Sequence, residues 1–74
     1  MHMSDFHVLA VVALIRDVPE AGLVRGQVGT IVENLGPDVF EVEFSDEHGR
    51  TYASLALRSS DLLRLHHEPV PAAA

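Results

Sequence analysis

Within the seven residues Val39 to Ser45 (VFEVEFS), apolar and acidic side chains alternate strictly from Phe40 to Phe44. In an extended chain this places Phe40, Val42 and Phe44 on one side and Glu41 and Glu43 on the other. A period of two is a strand signature, and a strand with one apolar and one charged side belongs to a sheet with one packed and one wet face. Such a strand is not stable alone, so the rest of the chain must supply its neighbours.

Four further segments qualify. His7 to Ile15 (HVLAVVALI) is short, β-branched and apolar on both sides, with Val12 and Leu14 on one face and Val11 and Ile15 on the other. In so small a protein the chain must curl around that strand, or a second copy must cover it. Gln27 to Leu35 and Arg50 to Leu57 read as two more strands, and Leu62 to Leu65 as a short fifth. Arg16 to Gly26 is broken by Pro19 and Gly22 and reads as a long loop, with Pro19 fixing φ in a turn and Leu23 folding back onto the core. Gly36 to Asp38 and Asp46 to Gly49 are turns, with Gly49 closing the second. Arg58 to Asp61 (RSSD) predicts one 3-10 turn before the last strand, because Ser and Asp side chains bond nearby backbone N–H groups. The expected fold is all-β: a small, partly open five-stranded barrel over residues 7–66. Residues 1–6 are expected to be a disordered or expression-derived N-terminus, and residues 67–74 a disordered Pro/Ala tail.

A chain of 74 residues can make one domain only. It has no cysteine, so neither disulfides nor thiolate metal sites supplement the core. Eleven acidic residues stand against five arginines and no lysine, a net charge of −6. A phosphate backbone attracts the opposite sign, so nucleic acid is disfavoured as a partner. The longest apolar run, Val8 to Ile15, is too short to span a bilayer, and no basic leader precedes it. A cytoplasmic protein without membrane contact is the expectation.

The stretch LVRGQVGTIVE (Leu23 to Glu33) sets Gly26 and Gly29 at the mouth of a strand. A phosphate loop would need a different spacing, a lysine and a following helix. A GXXG nucleic-acid clamp would need two helices, and Ile31 and Val32 demand a strand. An architectural role accounts for both: Gly26 ends the loop at positive φ, and Gly29 allows a bend or close backbone approach.

The pieces VALIRDVPEAGLVRGQVGTIVE, FEVEFSDEHGRTYA and LRSSDLLRL together resemble a bacterial family of small stand-alone SH3-like barrel domains of unknown function, with a KOW-like GxxGT[VI]VE core pattern. The resemblance spans about Val8 to Leu65. It implies an SH3-like barrel and, as a partner, a protein encoded by a neighbouring gene. It implies no established activity. KOW domains that bind RNA usually carry basic loops, whereas this chain carries Glu33, Asp38, Glu41 and Glu43.

Candidate sites are few. Glu41 and Glu43, with Glu33 on the neighbouring strand, form an acidic face that is either merely solvated or docks on a basic partner. No pocket signal accompanies them to support acid–base catalysis. His66, His67 and Glu68 are adjacent on extended chain and point to opposite sides, so no metal site is expected, and His7 and His48 are isolated. Ser54, Ser59 and Ser60 lack a nucleophile setting. Tyr52 and three Phe residues are too few for a base-stacking platform. Arg50 and Arg58 are expected to pair with Asp46, Glu47 or Asp61. The expectation is therefore a non-catalytic, cofactor-free module that binds another protein through Glu33, Glu41 and Glu43, with self-association as a second use of its surface. The alternatives are a KOW-like nucleic-acid-binding accessory domain and a small-ligand-binding barrel or enzyme subunit.

Overall fold

The computed structural model describes residues 6–71, and the expectations for residues 1–5 and 72–74 lie outside them. Five strands follow one another: β1 Val11–Leu14, β2 Val28–Gly36, β3 Val39–Ser45, β4 Thr51–Arg58 and β5 Leu62–Arg64. They form one antiparallel sheet in the order β4-β3-β2-β1-β5. Among the described residues β4 and β5 do not pair, so the sheet is open and both are edges. Two 3-10 turns complete it, Pro19–Ala21 and Ser59–Asp61.

Alternation decides which residues go inside. Phe40, Val42 and Phe44 of β3 are buried, as are Val12 and Leu14 of β1, Ile31 of β2, Leu57 of β4 and Leu62 of β5. Ala10, Val18 and Leu23 join this core from the loops, and Phe6 packs on Phe40 with ring centroids 5.8 Å apart. Leu23 is held there because Val18 and Leu23 bridge across the 3-10 turn, with Gly22 at φ 70° reversing the chain.

The long strand β2 serves both neighbours because it bends. Its register against β3 shifts twice: Val32 is an extra residue between the pairs Ile31–Val42 and Glu33–Glu41, and Leu35 is a second between Asn34–Phe40 and Gly36–Val39. Such insertions raise local twist and bend the strand. Close packing at its start depends on Gly29. A Cβ there would lie 2.7 Å from Val42 Cγ1 and 3.0 Å from the Glu43 carbonyl oxygen, so only a missing side chain lets β2 approach β3 this closely.

Three segments differ from the sequence reading. The first strand starts at Val11, not His7: Val8 and Leu9 form a turn with Leu9 at φ 77°, and the Leu9 N–H instead donates to the Ile31 carbonyl at 2.7 Å. An apolar run carries no signal for such a turn. The loop after β1 contains its own 3-10 turn, begun by Pro19 at the position where a missing N–H costs nothing. Pro37 and Asp38 alone connect β2 to β3, with Asp38 at φ 65° in the third position of the turn.

Candidate functional site

The outward side of the sheet is built by residues that alternate with the core. Cross-strand partners share a face, so the register reads that side directly. Val11 lies opposite Thr30, Ala13 opposite Val28 and Leu63, Thr30 opposite Glu43, and Glu33 opposite Glu41. On β4 the partners are Ser54 beside Glu43 and Ala56 beside Glu41.

This face has two halves. Over β5, β1 and the start of β2 it is apolar: Leu63 is 54% exposed, Val28 47%, and Ile15, which leaves the end of β1, 45%. Val11 is half-buried and Ala13 is covered by its neighbours. The two-sided character of the first strand thus has a physical outcome: one side enters the core, and the other forms the middle of an apolar strip. Over β2 and β3 the same face is acidic. The structure brings Glu33, Glu41 and Glu43 together, Glu33 and Glu41 directly opposed.

Opposed like charges in a register position are destabilising. Among the described residues no basic side chain relieves them: Glu41 accepts a hydrogen bond from the Ser54 hydroxyl at 2.7 Å, and Glu33 and Glu43 have no ion pair. Val32, the extra residue of the first β2 irregularity, is exposed next to Glu33.

The arginines are elsewhere. Arg16 Nε donates to Asp61 Oδ1 at 2.6 Å, and the Arg58 backbone N–H donates to Asp61 Oδ2 at 3.1 Å. Among the described residues neither the Arg58 nor the Arg50 side chain forms the expected ion pair with Asp61, Asp46 or Glu47, although the Arg58 charge still favours the ionised Asp61. Asp61 is taken by Arg16, 45 residues away in sequence, and Asp46 receives the backbone N–H groups of His48 and Arg50 in its turn. The bond from Arg16 holds the Asp61 carboxyl below its ordinary range, against an opposing desolvation effect and with help from the Arg58 N–H. The same contact raises the Arg16 guanidinium. This latch closes the end of β1 against the turn before β5, where the Ile15 N–H also donates to the Asp61 carbonyl. The Ser59 hydroxyl donates to Asp38 and ties the β2–β3 turn to the same corner.

The remaining candidates are dispersed. Gly26 ends the loop at φ 95° and Gly49 closes its turn at φ 81°. His66, His67 and Glu68 are exposed beyond β5, and among the described residues no three His, Asp or Glu side chains converge as metal ligands do. No helix among the described residues is long and apolar enough to cross a membrane. The apolar half of the outward face escaped sequence reasoning because Val28, Leu63 and Ala13 come from three different strands. Only the register shows that they adjoin.

Residues 8–64 match the family model described as Domain of unknown function (DUF4926). No curated protein and no solved structure matches the chain.

Proposed function

Because the chain belongs to the DUF4926 family, whose description assigns no activity, we propose from its surface that it is a non-catalytic interaction module with a small SH3-like barrel fold. The strand order, the long bent β2 and the 3-10 turn before β5 support that fold assignment. The module binds another protein through its outward sheet face, in a cytoplasmic setting, and also self-associates. One observation carries the reading: Glu33 and Glu41 are opposed in register, with no ion pair to either among the described residues, on the same face as an exposed apolar strip. A face that cost stability and served only solvation would be expected to mix its charges. An uncompensated acidic row on the same face as Val28 and Leu63 suits a partner that presents arginine or lysine together with apolar side chains. The net charge of −6 favours the same class of partner in the encounter step.

A synthetic peptide of alternating lysine and leucine tests this, with an alternating glutamate and leucine peptide as its control. Titrated into labelled protein at moderate salt, the basic peptide is expected to shift the amide resonances of Ala13, Val28, Glu33, Glu41 and Glu43. Glu33→Gln with Glu43→Gln is expected to weaken those shifts. Shifts spread over the whole surface, or unchanged by the double substitution, would sink the proposal.

A further inference from the structure

The two edges of the sheet are unlike. β5 is three residues long and carries Arg64. β4 is eight residues long, and from Thr51 to Leu57 it contains no charge, no proline and no glycine. Natural edge strands are blunted by such residues, by bulges or by a covering segment. β4 has a register irregularity only at its start, where Tyr52 is the extra residue.

The direction of its backbone groups follows from two hydrogen bonds. The Ser59 N–H donates to the Asp38 carbonyl at 3.3 Å in the register that runs through Leu57–Phe40 and Leu55–Val42. In an antiparallel ladder bonded and non-bonded pairs alternate, so the odd-numbered residues of β4 face β3 and the even-numbered ones face outward. The Arg58 N–H obeys this: it leaves the ladder and donates to Asp61. Between that cap and the irregularity at Tyr52, the outward backbone groups belong to Ser54 and Ala56, which flank Leu55.

We infer that this edge is a two-fold interface with a second copy of the chain. β4 pairs antiparallel with β4 of the other molecule about an axis at Leu55, so that Ser54 of each copy lies opposite Ala56 of the other. This register uses the outward N–H groups of both residues in both copies, as an isologous contact requires. It brings the two Leu55 side chains together on the inner side and sets Ala53 opposite Leu57, small against large. Charge selects the same occupant. A cleft of about 500 Å³ runs beside β4, with Val18, Leu55 and Leu57 in its lining and Arg16, Arg58, Glu20 and Asp61 among its charged groups. Those four charges cancel, so two copies meet here without the repulsion that the acidic face would impose. One strand pair buries less than the roughly 1,000 Å² of a durable interface, so the dimer dissociates on dilution. The inference gives a surface to the self-association in the reading above and leaves Glu33, Glu41 and Glu43 free, so each is testable without the other.

The chain has no cysteine, so Leu55→Cys and Ala53→Cys variants carry one thiol each. In the Leu55→Cys dimer the two introduced thiols would meet as a non-bonded cross-strand pair, with Cα atoms about 4.5 Å apart, within disulfide reach. Position 53 lies on the same strand and face but meets Leu57. Under mild oxidation Leu55→Cys is expected to form covalent dimer roughly tenfold faster than Ala53→Cys, because pairing raises its effective concentration. Ala56→Pro removes an outward N–H and no ladder bond. It is expected to lower the dimer fraction seen by light scattering in a dilution series, with an unchanged circular dichroism spectrum. Should that variant fail to fold, the cross-linking comparison decides. Equal cross-linking of the two cysteine variants, the 8.1 kDa single-chain mass at every concentration, or open-ended assembly would overturn the inference.

Discussion

The two faces of this sheet are made from alternate residues of the same strands, and they follow opposite rules. On the inner face Val12, Ile31, Val42 and Phe44 are fully buried, and each lies within one continuous core. On the outer face, one residue along the same strands, Val28 and Leu63 stand in water and Glu33 opposes Glu41. Burial of apolar area contributes about 25 cal/mol per Å². The inner face therefore holds the fold, and the outer face contributes little or subtracts. A small domain with marginal stability is not expected to keep a self-repelling row on one face without some other use for it. The contrast separates what stabilises from what remains available to a partner.

That contrast breaks most clearly at Phe44. Phe44→Ala should cost about 3–5 kcal/mol, from lost burial and the cavity left behind, as read from denaturant midpoints. In so small a domain that amounts to unfolding. Gly29→Val should cost about 1–3 kcal/mol, since its Cβ alone would contact Val42, Glu43 and Phe44 at 2.7–3.0 Å. A melting temperature equal to that of the unsubstituted chain would remove the close approach of β2 and β3 from the account.

A smaller effect belongs to the Arg16–Asp61 latch. The folded Asp61 carboxyl titrates below its unfolded value, chiefly through the Arg16 bond. Its stabilisation is therefore complete above the ordinary carboxylate range, near about pH 4, and is lost as the pH falls through the folded value. Asp61→Asn should lower the melting temperature at neutral pH, and the gap from the unsubstituted chain should close in acid. A gap that stays constant from neutral pH to strong acid would show that the latch acts through shape rather than charge.

How far the sequence carried this picture depends on where each signal lies. β3 was legible to the residue, because alternation over Phe40–Phe44 leaves no other period and the turns at Gly36–Asp38 and Asp46–Gly49 bound it. The turn at Ser59–Asp61 was legible from its run of Ser and Asp, although only Asp61 bonds locally, to the Arg58 N–H, while the Ser59 hydroxyl reaches Asp38. The turn at Val8 and Leu9 was hidden inside an apolar run, because periodicity fails where both faces are hydrophobic. The irregularities at Val32 and Leu35 each add one residue without changing composition, so only pairing with β3 exposes them. The acidic trio could be named from alternation, but the direct opposition of Glu33 and Glu41 depends on that same hidden shift. The Arg16–Asp61 pair joins positions 45 residues apart and left no local trace.

The smallest expected effect comes from the acidic row itself. Among the described residues Glu33 makes no ion pair, and it opposes Glu41, so Glu33→Gln relieves repulsion while keeping size and polarity. Chemical denaturation in urea at low ionic strength should show this variant more stable than the unsubstituted chain by roughly 0.2–1 kcal/mol. The difference should shrink as salt is added, because screening weakens exposed charge interactions. A variant that is less stable, with a loss that salt does not alter, would contradict the account: the acidic row would then be part of what holds the sheet together.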